Sequence, residues 1–175
     1  MAISYITAPP SSSTSKTPPS TVPLTANLAI HPTHTIHSPD VAPGTLDILV
    51  VPGPDPSETF TPEALEFLRA HAQHDRRPCD VLGVCTGIFV CAAAGILRGK
   101  QACGPRGLQG QLAAKYPDTE WVGDKFRWIQ DGNVWSSGEF LFFNSVRHFN
   151  HFIFYFYYPC RNPPFTPLPR LLLSP

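Results

Sequence analysis

Along the chain, apolar and polar positions sort into two kinds of run. Leu46-Asp47-Ile48-Leu49-Val50-Val51 is an almost unbroken, β-branched apolar stretch halted by Pro52-Gly53-Pro54, and Asp80-Val81-Leu82-Gly83-Val84 is a second. Short apolar runs bounded by turn residues are the pattern of strands buried on both faces of a parallel sheet. Between them the apolar spacing becomes helical: Ala64, Leu65, Phe67, Leu68 and Ala72 share a face. Thr61 is the expected N-cap, Pro62 fits the first helical position, and Glu63 is an acid in the first turn, so a helix ending near His74 is predicted. The second strand runs straight into Cys85-Thr86-Gly87, followed by a strongly apolar helix from Ile88 to Leu97 that Gly99 is predicted to close as a left-handed cap. Leu108 to Tyr116 reads as a short helix stopped by Pro117. Phe126 to Gln130 and Asn133 to Ser137 flank Asp131-Gly132, a hairpin signal. A weak strand or hairpin is expected within residues 27–36. Strand, helix, strand, helix implies an α/β domain with a mostly parallel sheet and right-handed crossovers.

The composition divides the chain in three. All 13 acidic residues fall between Asp40 and Glu139, and the 21 prolines are concentrated toward the ends. Residues 1–23 read as a Pro/Ser/Thr-rich flexible segment, because residues 8–23 cannot bury enough apolar surface to offset chain entropy. Residues 24–138 have ordinary globular composition and form the domain. Residues 139–175 are an aromatic, then Pro-rich tail holding eleven of the chain's twenty aromatic residues and no acid after Glu139. Its run Phe152 to Tyr158 follows neither a helical nor a strand period and is an aggregation hazard when exposed. Gly138-Glu139-Phe140 can be encoded by GGTGAGTTC, which contains a splice-donor sequence, so the tail is read as translated non-coding sequence foreign to the fold.

Net charge is zero and only 15% of residues are charged, which leaves no footprint for nucleic acid. No apolar stretch reaches the roughly 18 residues that span a bilayer. The five cysteines lack C-x-x-C spacing, and residues 1–10 have no basic start or apolar run, which points to a reducing, cytoplasmic setting. His31, His34 and His37 resemble a metal string, but Pro32 and Pro39 break its geometry, so a solvated strand edge is expected, with no metal and no cofactor. His71 and His74 are expected on the polar side and at the end of their helix.

The chemistry is expected at Gly83-Val84-Cys85-Thr86-Gly87. A nucleophile flanked by small residues, packed between a buried strand and a helix, is the pattern of a nucleophile elbow, in which a tight turn lifts the side chain above the sheet. Gly83 and Gly87 remove side chains that would collide where strand and helix cross. Cys85 would sit exposed at the helix start, where backbone N–H groups and the helix dipole favour a thiolate. Cys79, Cys91 and Cys103 are read as buried, inert thiols, and Cys160 lies in the tail.

These motifs, together with Asp47-Ile48-Leu49-Val50-Val51-Pro52-Gly53, the helix end Ala94-Gly95-Ile96-Leu97-Arg98-Gly99-Lys100, Ala102, Tyr116-Pro117 and the run from Trp128 to Gly138, resemble the ThiJ/PfpI family of the class I glutamine amidotransferase-like superfamily. Pro52-Gly53-Pro54-Asp55-Pro56 with Gly104-Pro105-Arg106 is similar to a fungal branch related to isonitrile hydratases. The resemblance covers residues 24 to 138. It implies a flavodoxin-like three-layer sandwich with its site at the carboxyl ends of the strands, and a lyase that hydrates isocyanides to N-substituted formamides. Cys85 would be the catalytic nucleophile and Thr86 the adjacent donor, with Gly53, Asp55 and Gly87 forming the oxyanion and pocket wall. The implied partner is a small electrophilic substrate, and homodimerisation is common in the family.

Three departures bear on activity. Pro54 stands where the family has a second glycine, so an oxyanion donor must come from elsewhere, such as Asp55. Pro105 matches the histidine some members place near the cysteine. The family's first strand and its carboxylate should precede Ile3-Ser4-Tyr5-Ile6, and are expected to be missing. Two readings therefore stay open: a cysteine-dependent enzyme of the isonitrile hydratase type, or a non-catalytic redox-sensing or binding module that retains a reactive cysteine.

Overall fold

The computed structural model describes residues 4–8, 21–23, 29–54, 57 and 59–138. Asp55, the Pro/Ser/Thr run 9–20 and the tail 139–175 lie outside the described residues, and so does the expectation about the origin of that tail.

Four short strands come first: β1 (Ile6–Thr7), β2 (Val22–Pro23), β3 (Ala29–Ile30) and β4 (His34–Thr35). β1 runs parallel to β4, and β2 pairs antiparallel with β3. Within the segment read as flexible, Ile6–Thr7 and Val22–Pro23 are thus strands. The polar run between them masks Ile6, whose side chain is buried in the core.

The main sheet has the order β5-β6-β10-β9. β5 (Ile48–Val51), β6 (Asp80–Val84) and β10 (Val134–Ser137) are parallel neighbours, and β9 (Trp128–Asp131) lies antiparallel to β10 at the edge. Side chains alternate between faces with a period of two. Leu49, Val81 and Val134 share the face that joins the core, where they meet Leu68 and Ala72 of α1 (Pro62–Ala72), Ile88 and Phe89 of α2 (Gly87–Ala93) and Leu112 of α3 (Gln109–Lys115). Ile88 and Phe89 are fully buried, each contributing about 1.5–3 kcal/mol. Ile48, Leu82, Val84 and Trp135 point to the opposite face, are half-buried, and do not belong to that cluster. Among the described residues the packed helices therefore lie on one face, and the second helical layer expected of a three-layer sandwich is not seen among them.

Local signals account for the boundaries. Thr61 accepts a hydrogen bond from the Ala64 N–H at 3.3 Å, capping α1 as its sequence predicts. The side-chain amide of Asn133 donates to the carbonyls of Ala72 (2.9 Å) and Cys79 (2.7 Å), so the hairpin turn satisfies a carbonyl left open at the end of α1. In the hairpin, Asp131 pairs with Val134, leaving Gly132 and Asn133 as the two loop residues. Gly132 has φ +62°, which suits the first position of a two-residue hairpin loop.

The end of α2 corrects the expectation that Gly99 closes a helix reaching Leu97. Gly95 has φ +77°, its N–H bonds the carbonyl of Ala92 at 2.9 Å, and the Ile96 N–H bonds that of Cys91 at 3.3 Å. This nested pair is a Schellman motif with Gly95 as the left-handed cap, and the buried Cys91 and Ile96 provide its apolar contact. Gly99, φ +71°, closes a separate turn that leads into β7 (Gln101–Ala102), which pairs parallel with β8 (Glu120–Trp121).

Candidate active site

Strand β6 ends at Val84 and α2 begins at Gly87, so the chain turns from strand to helix within two residues. Cys85 makes that turn with φ +54°, the one positive φ outside glycine among the described residues. For an L-residue this conformation costs roughly 1–2 kcal/mol. The surroundings impose it: the Cys85 N–H donates to the Ser137 carbonyl at 2.9 Å, extending the β6–β10 ladder by one residue, while the Phe89 N–H already bonds the Thr86 carbonyl at 3.0 Å. Cys85 is half-buried rather than fully exposed as its sequence setting suggested.

Glycines make this crossing compact. A Cβ on Gly87 would strike the Val51 carbonyl oxygen and lie 2.8 Å from that of Pro52. Gly87 is therefore buried in the seam between α2 and the end of β5. A Cβ on Gly83 would lie 3.1 Å from Ile88 Cδ1 and 3.2 Å from Cys91 Sγ. Gly53 abuts Thr86: its Cβ would run into Thr86 Oγ1 and come within 3.1 Å of the Thr86 nitrogen. The Thr86 hydroxyl donates to the Pro54 carbonyl at 2.7 Å, so it straps the Pro52-Gly53-Pro54 loop to the helix start. The structure thus brings Gly53, Cys85, Thr86 and Gly87 together at the carboxyl ends of β5 and β6, while Asp55 falls outside the described residues.

A third wall was not anticipated from sequence. A Cβ on Gly138 would collide with the Gly104 carbonyl, so the Gly104-Pro105 loop abuts the end of β10 one residue beyond Ser137. Two buried side chains hold that loop. Ser136 Oγ accepts from the Cys103 N–H at 2.8 Å, and Gln109 Nε2 donates to the carbonyl of Gly104 at 2.7 Å and of Pro105 at 3.4 Å. Gln109 Oε1 is buried with no hydrogen-bond partner. The only sequence hint was composition: glycines at 104, 123 and 138 are where backbones approach closely.

The other described thiols are chemically quiet. Burial, with help from the charges of Asp80 and Asp47, pushes the Cys79 thiol up to about 12; burial alone pushes Cys91 to about 12 and Cys103 to about 11. No histidine or carboxylate among the described residues hydrogen-bonds Cys85. His71 departs from the expected polar position. It is completely buried, with Nδ1 2.8 Å from the Phe67 carbonyl and Nε2 3.1 Å from that of Val41. Helical spacing misplaced it, because the turn Pro39–Val41 packs onto that side of α1. Desolvation lowers its pKa, outweighing the backbone hydrogen bonds that raise it. His34 Nδ1 lies 2.8 Å from Thr33 Oγ1, and its Nε2 lies 3.9 Å from an Asp40 carboxylate oxygen. Among the described residues no three His, Cys, Asp or Glu side chains are grouped to hold a metal ion, and no helix is long and apolar enough to cross a membrane.

A family model described as the DJ-1/PfpI family matches residues 12–143. No curated protein matches the chain significantly. Among solved structures, a protein from Vibrio parahaemolyticus is 21% identical with a TM-score of 0.54, covering 67% of this chain and 61% of its own. An AraC family transcriptional regulator from Pseudomonas putida is 18% identical with a TM-score of 0.53, covering 70% and 62%. A two-domain protein from Anabaena variabilis with dj-1/thij/pfpi-like and ferritin-like domains is 24% identical with a TM-score of 0.52, covering 64% and 30%. At these identities the likeness is one of fold, and the chain spans about three-fifths of the first two relatives' length.

Proposed function

Since the DJ-1/PfpI family model matches most of its length, the chain belongs to that family, and from this premise we propose that it acts on small electrophiles through Cys85, with isocyanide hydration as the reaction the site supports best. The observation that carries the reading is the left-handed Cys85 at the junction of β6 and α2, φ +54°. Backbone strain of this kind persists where surrounding structure enforces it and collects at reacting groups. On this reading the turn is a nucleophile elbow.

In the proposed reaction the Cys85 thiolate forms a C–S bond to the isocyanide carbon, which takes a proton from solvent to give a thioimidate. Water then adds across the C=N bond, its oxygen bonding that carbon as one of its own protons passes to the nitrogen. The C–S bond then breaks, the thiolate returns, the hydroxyl proton goes to solvent, and an N-substituted formamide leaves. The sum is isocyanide plus water. The Thr86 N–H, beside Gly53, is the donor offered to developing negative charge, a role in which one well-placed donor is worth about 2.7–4 kcal/mol. Gly53 and Gly87 complete the wall, with Gly87 acting through close packing, while the role expected for Asp55 falls outside the described residues. Neither a cofactor nor a metal enters this scheme. A cytoplasmic setting and a homodimer belong to the same reading.

A second reading is favoured by a specific feature: no histidine or carboxylate among the described residues hydrogen-bonds Cys85, and Pro105 occupies the place where a histidine was sought. A thiol without a proton carrier suits a redox-sensing or binding module, and fold alone does not choose between the two. The test couples the pH dependence of Cys85 alkylation to turnover of a panel of isocyanides and 2-oxoaldehydes. Turnover lost in Cys85→Ala supports the enzyme. A reactive thiol without turnover supports the sensor, and a thiol no more reactive than free cysteine removes both.

A further inference from the structure

We propose that Trp128, with Phe126 beside it, is an aromatic platform at the rim of the Cys85 site that receives an aryl or other bulky apolar substituent of the electrophile. This deepens the reading of Cys85 and rests on it.

Among the described residues, the large apolar side chains left open to solvent are Phe126 (40%) and Trp128 (49%). Trp128 opens the edge strand β9, and Phe126 precedes it by two residues. The register fixes what is beside them. Ser137 pairs with Val84 on one side and with Trp128 on the other, and its carbonyl receives the Cys85 N–H at 2.9 Å. The Gly138 N–H bonds the Arg127 carbonyl at 3.1 Å, so the pairing continues past Trp128. At about 4.8 Å per strand, Trp128 stands roughly 10 Å along its row from Val84, the residue before Cys85, within reach of a substituent on a carbon bound at sulfur. The Trp128 ring is braced rather than loose: it stacks on Trp135 with centroids 5.9 Å apart and planes at 21°. One side of the ring is therefore backed by a half-buried neighbour, and the ring is still about half open. Two rings are far too little for a stable protein interface, which needs about 800 Å² from each partner. They match a single aryl group, for which an offset stack is the favourable geometry.

The experiment compares N-methylmaleimide with N-phenylmaleimide on the full chain, reading the Cys85 adduct rate by peptide mapping and referring the phenyl-to-methyl ratio to that of glutathione. The expected ratio exceeds glutathione's by about three- to ten-fold, the range of one aromatic contact. It falls toward glutathione's in Trp128→Ala and survives in Trp128→Phe, the ratio in each variant being taken to that variant's own N-methylmaleimide rate. A parent ratio equal to glutathione's, or one unaltered in Trp128→Ala, overturns the platform while leaving Cys85 as the nucleophile. The same holds if Trp128→Ala alters only the mass on gel filtration, which would make the rings a contact between copies. If Cys85 reacts with neither maleimide, the Cys85 reading fails and the platform with it.

Discussion

Replacing Gly87 by alanine tests how tightly the site is built. Gly87 has no positive φ, so the backbone itself accepts alanine, and at the first turn of a helix alanine gains up to about 1 kcal/mol in propensity. Against this stands a collision with backbone. The new Cβ meets the Val51 carbonyl oxygen and lies 2.8 Å from the Pro52 oxygen and 2.9 Å from the Val51 carbonyl carbon. These are backbone atoms at and just past the end of β5, which pairs with β6, and they have no rotamer to swing away. Restoring ordinary contact at about 3.5 Å with the Val51 oxygen, the nearest of the three, moves the start of α2 away from the end of β5 by more than about 1 Å. Overpacking of this kind costs about 1–3 kcal/mol, and the propensity gain of about 1 kcal/mol leaves a net loss of up to about 2 kcal/mol. Because Cys85 and Thr86 precede this residue directly, the shift also moves the thiol relative to Gly53, and a displacement near 1 Å can cost on the order of 100-fold in rate. Urea unfolding gives the first quantity from the midpoint, and Cys85 alkylation together with isocyanide turnover gives the second. Gly110→Ala is the control: a Cβ there has nothing within 4 Å, the residue is helical, and the change should stabilise by about 0.5–1 kcal/mol. A Gly87→Ala protein as stable as Gly110→Ala would refute the packing argument.

Other changes separate the remaining terms. Gly95→Ala meets nothing closer than 3.8 Å but must hold φ +77°, so it should lose about 1–2 kcal/mol through conformation alone, seen as a lower urea midpoint with an unchanged slope. Thr86→Val removes the strap to the Pro54 carbonyl and should cost about 1 kcal/mol, while Thr86→Ser retains it; equal losses in both would show that the bond contributes nothing. The desolvated His71, whose pKa lies below its ordinary 6.5, binds its proton less readily when folded than when unfolded. Its contribution is present above pH about 6.5 and is lost as pH falls toward the lowered value. Stability should therefore fall between pH 7.5 and 5.5 in the parent, and less steeply in His71→Gln; parallel slopes would exclude His71. Asp80, whose carboxyl is pushed up by burial, contributes with the opposite sign. Brief iodoacetamide treatment of the native protein should label Cys85 and spare Cys79, Cys91 and Cys103, and labelling of Cys91 ahead of Cys85 would contradict the burial assigned to it.

Where local signals agree, the sequence reading matches the structure closely. The run Asp80-Val81-Leu82-Gly83-Val84 is a strand from end to end, Thr61-Pro62-Glu63 begins α1, and the Asp131-Gly132 signal marks the hairpin. Where two glycines compete, as Gly95 and Gly99 do for the end of α2, periodicity cannot decide, because apolar residues continue past the true cap. His71 was misread because a helical wheel has no knowledge of the turn that packs on its far side.

The residue order alone determined the parallel strands, the turn at Cys85 and the need for small residues around it, since each depends on groups within about ten positions of one another. Only the tertiary structure decided that Ser137 orients Cys85, that Gly53 abuts Thr86, that Gln109 pins the Gly104-Pro105 loop, and that Trp128 stands open beside the site. Ser137 and Cys85 are 52 residues apart, Gly53 and Thr86 33, and Trp128 and Cys85 43, while Gln109 is only 5 residues from Gly104 but sits on a different element. Hydrogen-bond register and close backbone contact set them, and neither leaves a periodic trace in the chain.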